Sequence, residues 1–196
     1  MIVLASQSAS RAAILTAAGV PFETASAGVD EEVEKQRLTA AGEGPREVAE
    51  HLAQLKAVRV SAERPAALVI GADQTLELDG ALYDKAASLD EARMRLTELR
   101  GRRHVLHAAL AVARAGASIW RMTESPALTM RGFSEAFLDG YLERNGAAVL
   151  GSVGCYHLEG EGAQLFDAID GDYFAILGLP LLPLLAFLRR EGALAA

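Results

Sequence analysis

MIVLASQSASR, Met1 to Arg11, runs an apolar strand straight into a Ser-x-Ser-x-x-Arg turn. Ile2 to Ala5 reads as a buried strand and Ala9 to Ala18 as a helix with Ile14 and Leu15 inward, stopped by Gly19 and Pro21. A strand feeding a helix at once puts the helix N-terminus at the strand's end. There the first backbone N–H groups lack intrahelical partners and the dipole is positive, so Ser6, Ser8 and those amides can cradle an oxyanion. Ser8 and Arg11 are three apart, hence on one helix face, and a guanidinium offers the planar fork that grips phosphate. An isolated Ser-x-Ser-x-x-Arg is more often a capped helix with its Arg in solvent. The rest of the chain has to decide between the two.

Outward from this stretch the order is mixed α and β. A short strand over Phe22 to Ala25 leads to the acidic VDEEVEK, then to a Gly-rich connection ending in Pro45 that is a candidate lid. From Arg46 to Arg59 the positions of Val48, Leu52 and Leu55 follow helical spacing and set Lys56 beside the apolar stripe, at a cleft edge. ALVIGAD, Ala67 to Asp73, reads as a central strand delivering a carboxylate at its C-terminal end. TLEL, Asp79-Gly80 and ALY read as a hairpin with a type I′ turn. Asp84-Lys85 then precede a helix with Ser88 and Glu91 in capping-box spacing.

HVLHAALAVARAG and SIWRMTESPALTMR read as two long antiparallel strands joined at Ala115-Gly116. Ser134 to Glu143 is a short helix ended near Gly146. A strand around Tyr173 to Leu177 and a last helix from Pro180 to Arg190 complete the chain. With no repeat period and no linker, one α/β domain over residues 1–196 is the simplest account.

The chain has 196 residues, half of them hydrophobic, and a net charge of −7. That charge repels nucleic acid over most of the surface and favours a small anion in a pocket. A single Cys155 fits a reducing cytoplasm and the role of a small buried hydrophobe. Ser6, Gln7, Ser8 and Arg11 interrupt the N-terminal apolar run, so no export is expected. ILGLPLLPLLAFL, 176–188, is broken by Gly178, Pro180 and Pro183 and is too short for a membrane span, so it belongs to the core or to a homodimer interface.

By residue type, Ser6, Ser8, Arg11, Glu31, Lys56, Asp73 and Lys85 form a phosphate-handling set. Hydrolysis of a phosphoanhydride needs cations for the phosphate oxygens, a carboxylate-held Mg²⁺ and a base for water. Arg11, Lys56 and Lys85 are the cations, Glu31 the metal ligand and Asp73 the base. Against this, a Lys is usually a solvated charge, the acidic run around Glu31 is usually a solvated face, and Asp73 is as well suited to capping a turn. His51, His104, His107 and His157 show no metal-ligand spacing, which favours packing or surface roles, and Trp120 is read as structural.

LASQSASR, the DEE at 30–32, Lys56-Ala57, GADQ at 71–74, Asp84-Lys85, LRGRRH at 99–104 and GDYFAILGLPL at 171–181 together resemble, in that order, the Maf family. The resemblance implies an inosine triphosphate pyrophosphatase-like fold, an elongated mixed sheet with helices around a central cleft. It also implies hydrolysis of a nucleoside triphosphate to the monophosphate and pyrophosphate, with a divalent cation (Mg²⁺, or else Mn²⁺ or Co²⁺). Carried over residue by residue, Asp73 is the proton acceptor, and Ser8, Arg11, Glu31, Lys56 and Lys85 line the phosphate and metal site.

Gln74 and Glu159 look like the 7-methyl-GTP branch of that family, the alternative being a dTTP/UTP pyrophosphatase. A carboxylate at 159 suits a cationic, donor-rich methylguanine. Ser10 stands where these branches carry a large residue, so a base-stacking contribution of about 1–3 kcal/mol comes from elsewhere or is absent. A non-catalytic nucleotide-binding regulator of growth or division is the rival class, since a sensor needs the cations but no base.

Overall fold

The computed structural model describes residues 1–195. Its organising element is β3 (Leu68–Leu78), which pairs antiparallel with β5 (Arg103–Arg114) from Val69↔Ala113 to Glu77↔Val105. Along its other edge β3 takes two partners in turn. β1 (Ile2–Ala5) runs parallel to Leu68–Gly71, and β4 (Ala81–Tyr83) runs antiparallel to Leu76–Leu78. Between them Ala72 to Thr75 have no strand on that edge. The strand therefore does not end at Asp73, as the sequence suggests; it passes through, held by β5, and changes partner there.

The mixed sheet has eight strands in the order β2-β1-β3-β5-β7-β8, with β4 on β3 and β6 on β5. β2 (Glu23–Thr24) lies beside β1, β6 (Ala117–Glu124) and β7 (Ala127–Met130) follow one another along β5, and β8 (Phe166–Asp170) closes the far edge. The second long strand read from the sequence is thus two strands. They are divided at Ser125-Pro126, where proline offers no N–H to the ladder. Both tight turns come out as read: Asp79 and Gly80 (φ 52° and 82°), and Ala115 and Gly116 (φ 50° and 79°), take the paired positive φ of a type I′ hairpin.

Side chains alternate across a strand, so the two sheet faces differ. Leu68, Ile70 and Ala72 join Leu4, Leu15, Leu184 and Phe187 in one apolar cluster, while Leu76 and Leu78 join Leu96, Leu99, Leu128 and Leu138 in another. These clusters share a face, and the β3 position between them is Gln74. Each fully buried leucine contributes about 1.5–3 kcal/mol, so the clusters stabilise two separate blocks and leave a polar seam where they meet. α1 (Ala9–Ala17) and α7 (Leu181–Arg190) belong to the first block, α4 (Leu89–Leu99) and α5 (Glu135–Asn145) to the second. Trp120 is structural, stacked on Phe187 with centroids 4.9 Å apart.

The other face is covered by α3 (Pro45–Glu63), packed through Ala49, Ala53 and Ala57 against Ala109, Ala111 and Ala113. Approach is closest at Gly71, where a Cβ would lie 2.1 Å from the Ala53 carbonyl oxygen. Small residues let the helix backbone sit on the strand, which is what brings a lysine of α3 to an aspartate of β3.

Three other readings change. The acidic run, given no element in the sequence reading, opens a helix: Glu31–Ala40 is α2, whose N-cap Asp30 accepts from the Val33 N–H at 3.1 Å and whose first-turn carboxylates favour the positive helix end. Residues 41–44 make only the short turn from α2 to α3 and do not line the cleft, so they are no lid. Tyr173–Ile176 is a turn of helix, α6, not a strand; Asp172 caps it by accepting from the Ala175 N–H at 2.8 Å and Gly178, at φ 90°, ends it. The strand of this region is β8, just upstream.

Candidate functional site

A cleft of about 760 Å³ opens where β3 lacks a partner strand, between the two apolar blocks. All ten residues singled out from the sequence line it: Ser6, Ser8, Ser10, Arg11, Glu31, Lys56, Asp73, Gln74, Lys85 and Glu159. They come from β1 and its turn, α1, α2, α3, β3, the segment before α4, and the 151–159 loop.

The floor is a buried ionic array. Lys56 Nζ donates to Asp73 Oδ1 at 2.7 Å and lies 2.8 Å from Glu31 Oε1. Lys56 and Asp73 are 4% and 5% exposed, so each requires the other: a single buried charge left alone is strongly destabilising. α3 positions the lysine, the unpartnered stretch of β3 exposes the aspartate to the cleft, and the first turn of α2 supplies Glu31.

The N-terminal turn behaves partly as the sequence suggests. Ser8 caps α1, its Oγ accepting from the Arg11 N–H at 3.4 Å, and the Ser6 Oγ accepts from the Ser8 N–H at 3.3 Å. Arg11 turns inward across the gap, donating from Nε to the Gly178 carbonyl (2.9 Å) and from Nη1 to Ser6 Oγ (3.2 Å) and the Ala72 carbonyl (3.1 Å). It therefore ties β1, β3 and the Gly178 turn together while its Nη2 protons take no partner among the described residues. Burial lowers the Arg11 pKa from its ordinary value, against the attraction of Asp73 and Glu31; an arginine remains charged nonetheless.

Gln74 has a structural task. Its amide nitrogen donates to the Ala175 and Ile176 carbonyls, both at 3.0 Å, and since carbonyls only accept, the NH₂ must face them. The side chain holds α6 against the seam instead of turning its donors into the cleft.

Two cations complete the floor. Lys85 makes no ion pair among the described residues; burial in the cleft wall and the charges of Arg11 and Lys35 lower its pKa, against Glu31 and Asp73. Lys35, which the sequence reading missed, pairs with Asp84. Burial works against its charge, but the Asp84 hydrogen bond and the nearby Asp84, Asp73 and Glu31 carboxylates prevail and raise its pKa. The signal was present: Lys35 lies four residues after Glu31, on the same face once the segment is a helix.

At the other end, Gly151 to Val153 and Tyr156 to Glu159 form a rim. Tyr156 is buried and its Oη is 2.7 Å from His104 Nε2. Burial pushes the tyrosine pKa up and that of His104 down to about 4, so the imidazole is neutral. His157 also lines the cleft, contrary to the packing or surface role expected of the histidines.

The lining holds five carboxylates (Glu31, Glu32, Asp73, Asp84, Glu159) and four cations (Arg11, Lys35, Lys56, Lys85). That balance does not favour a highly charged anion by itself. Two hard oxygen donors, Glu31 and Asp73, converge on the Lys56 ammonium, and a small divalent cation is held by one or two carboxylates with water and phosphate oxygens completing its shell. Among the described residues no three His, Cys, Asp or Glu side chains cluster as a metal cage. The donor set therefore fits a metal that arrives with, or is completed by, a phosphate ligand. No helix of the described residues is long and apolar enough to cross a membrane.

The family described as Maf-like protein matches residues 1–191. The chain is 61% identical to the nucleoside triphosphate pyrophosphatase of Caulobacter vibrioides over 193 residues, 98% of this chain and 96% of that protein. It is 51% identical to the protein of the same name from Granulibacter bethesdensis, over 98% of each chain. Against the 7-methyl-GTP pyrophosphatase of Brucella abortus identity is 47%, over 97% of this chain and 96% of that one. The seven ordered sequence blocks, six of which contribute residues to the cleft, and the match along nearly the whole length agree, and the chain belongs to the Maf-like family.

Proposed function

We propose that this chain is a nucleoside triphosphate pyrophosphatase, converting a nucleoside triphosphate and water to the monophosphate and pyrophosphate. The observation that carries this reading is the Glu31–Lys56–Asp73 array on the cleft floor, next to the uncommitted Lys85 ammonium and Arg11 Nη2. A phosphate-binding regulator needs the cations; it has no use for a buried carboxylate placed among them.

Lys85, Arg11 and the N–H groups opening α1 bind the phosphate oxygens, with Lys35 at the α2 side. Asp73 accepts a proton from the attacking water, whose oxygen bonds to the α-phosphorus as the bond to the bridging oxygen breaks and pyrophosphate leaves. Lys56, hydrogen-bonded to Asp73, fixes the orientation of that carboxylate. Glu31, with the phosphates, is the residue to hold a divalent cation, Mg²⁺ first and Mn²⁺ or Co²⁺ as alternatives. Such an ion, when bound, neutralises phosphate charge and polarises the phosphoryl oxygens. Catalysis in phosphoryl chemistry is chiefly positioning and charge stabilisation, and this floor is built for both.

For the base, a 7-methylguanine nucleotide is favoured over dTTP or UTP. The support is the Glu159 carboxylate at the rim and the relatives of that name at 47% identity. Gln74 acts indirectly, by holding α6, and Ser10 offers no ring for stacking, so discrimination rests on the rim.

The test is pyrophosphate release from 7-methyl-GTP, GTP, dTTP and UTP with and without Mg²⁺, beside the Asp73→Asn variant. The expected result is metal-dependent release, greatest with 7-methyl-GTP, reduced by about 10²–10⁴-fold in the variant while nucleotide binding persists. Unchanged turnover in the variant, or nucleotide binding with no release from any substrate, would overturn the reading.

A further inference from the structure

His157 is held from three sides. Its Nε2 is 3.0 Å from the Ala148 carbonyl oxygen, and its ring packs beside Gly151, where a Cβ would lie 3.9 Å from Cε1 and Nε2. Its backbone is seated against Gly162, where a Cβ would fall 2.5 Å from the His157 oxygen and 2.9 Å from its nitrogen, so only glycine fits. A carbonyl can only accept, so Nε2 donates to Ala148 and Nδ1 is the ring nitrogen left to serve as an acceptor. Nδ1 lies 3.8 Å from Glu159 Oε1, wider than a hydrogen bond, so neither atom is taken up by the other. Both residues line the cleft.

We propose that His157 is a specificity-determining residue. With Glu159 it forms a two-acceptor clamp that reads the donor edge, ring N–H and exocyclic amino group, of a guanine-type base. The inference rests on the reading of the cleft as a nucleoside triphosphate site and adds a residue to it. Two acceptors facing the same space are satisfied together only by a ligand rich in donors. Uracil or thymine, whose single N–H lies between two carbonyls, brings lone pairs against lone pairs, so the same clamp rejects pyrimidines by repulsion. The methyl group of 7-methylguanine leaves the donor edge intact, so the clamp serves the methylated and the plain base alike and Glu159 adds the preference for positive charge.

Two substitutions separate reading from support. His157→Gln places an amide nitrogen where Nε2 stands, able to donate to Ala148, but removes the acceptor at the δ position. His157→Asn does the reverse, supplying an acceptor at the δ position. The probes are GTP, 7-methyl-GTP and ITP, the last lacking the exocyclic amino group.

For His157→Gln the expected result is a KM raised about tenfold for GTP and 7-methyl-GTP, little change for ITP, unchanged kcat and an unchanged thermal melt. His157→Asn regains much of the GTP over ITP preference. An active wild-type enzyme that does not distinguish GTP from ITP, or a His157→Gln variant that keeps the distinction or loses all three substrates equally, overturns the inference and leaves the pyrophosphatase reading intact. A wild-type protein that releases pyrophosphate from dTTP and UTP but from none of the three overturns the inference alone; one that releases it from none of the five overturns the pyrophosphatase reading and the inference with it.

Discussion

At the floor of the cleft Lys56 and Asp73 are about 95% buried, and Lys56 meets two carboxylates from two different elements. At the rim the His157 and Glu159 side chains are 34% and 42% exposed and stand 3.8 Å apart without a bond. The floor's ionic array is assembled within the protein: β5 pairs along β3, alanines seat α3 on the sheet, and Glu31, Lys56 and Asp73 are paired before substrate arrives. The rim is incomplete, with acceptors awaiting donors, and is carried on short 3-10 turns over Gly146–Gly151 and Glu161–Leu165. The difference separates chemistry, which needs preorganised charge, from recognition, which needs groups left unsatisfied until the ligand binds.

Breaking the floor has the largest effect on stability. In Lys56→Met the Asp73 and Glu31 carboxylates lose the ammonium between them, and the loss of a buried partner costs about 3–5 kcal/mol, to be read from urea unfolding at neutral pH. A loss under 1 kcal/mol means that the floor is no more preorganised than the rim.

Next is the support beneath the rim, which is sensitive to acid. An unfolded histidine takes up a proton near pH 6.5, whereas burial holds folded His104 down at about 4. Between these values the unfolded chain binds more protons. The His104 contribution is therefore fully present above about pH 6.5 and lost as pH falls through about 4, in total about 3 kcal/mol. In His104→Gln, which keeps a polar partner for Tyr156, that part of the acid destabilisation is absent. Unfolding free energies at pH 7 and pH 4.5 for both proteins measure it, and parallel losses would refute it.

The smallest effect sharpens the contrast. Glu159→Gln removes a charge with no tight partner, so the unfolding free energy changes by less than about 0.5 kcal/mol. The preference for 7-methyl-GTP over GTP falls about three- to tenfold. A large change in stability would make the rim part of the scaffold.

How much of this was legible follows from the same contrast. β1, α1 and its Ser8 cap, the Asp79-Gly80 turn and the position of Lys56 on α3 were readable because each rests on local chemistry: an apolar run, a hydroxyl cap, a paired positive φ, a helical stripe. The continuity of β3 was not, because polar Asp73 and Gln74 interrupt its apolar pattern where it changes partner, a fact of the sheet and not of the segment. α2 was hidden by its composition, since three carboxylates in its first turn read as a solvated run. Lys35 was lost with it. α6 and β8 exchanged places because YFAIL has strand-like residues, whereas FDAID lies on an edge with two acids facing solvent. His157 was invisible for a different reason: its role comes from the Ala148 carbonyl and a crowded glycine, neither of which leaves a trace in residue spacing.

The central claim is that water attacks the α-phosphorus over the preorganised floor. Hydrolysis of the preferred triphosphate in H₂¹⁸O, with the products separated and weighed by mass spectrometry, tests it most directly. The account predicts one ¹⁸O atom in the nucleoside monophosphate and none in the pyrophosphate. Label in the pyrophosphate, or release of orthophosphate with a nucleoside diphosphate, would contradict it.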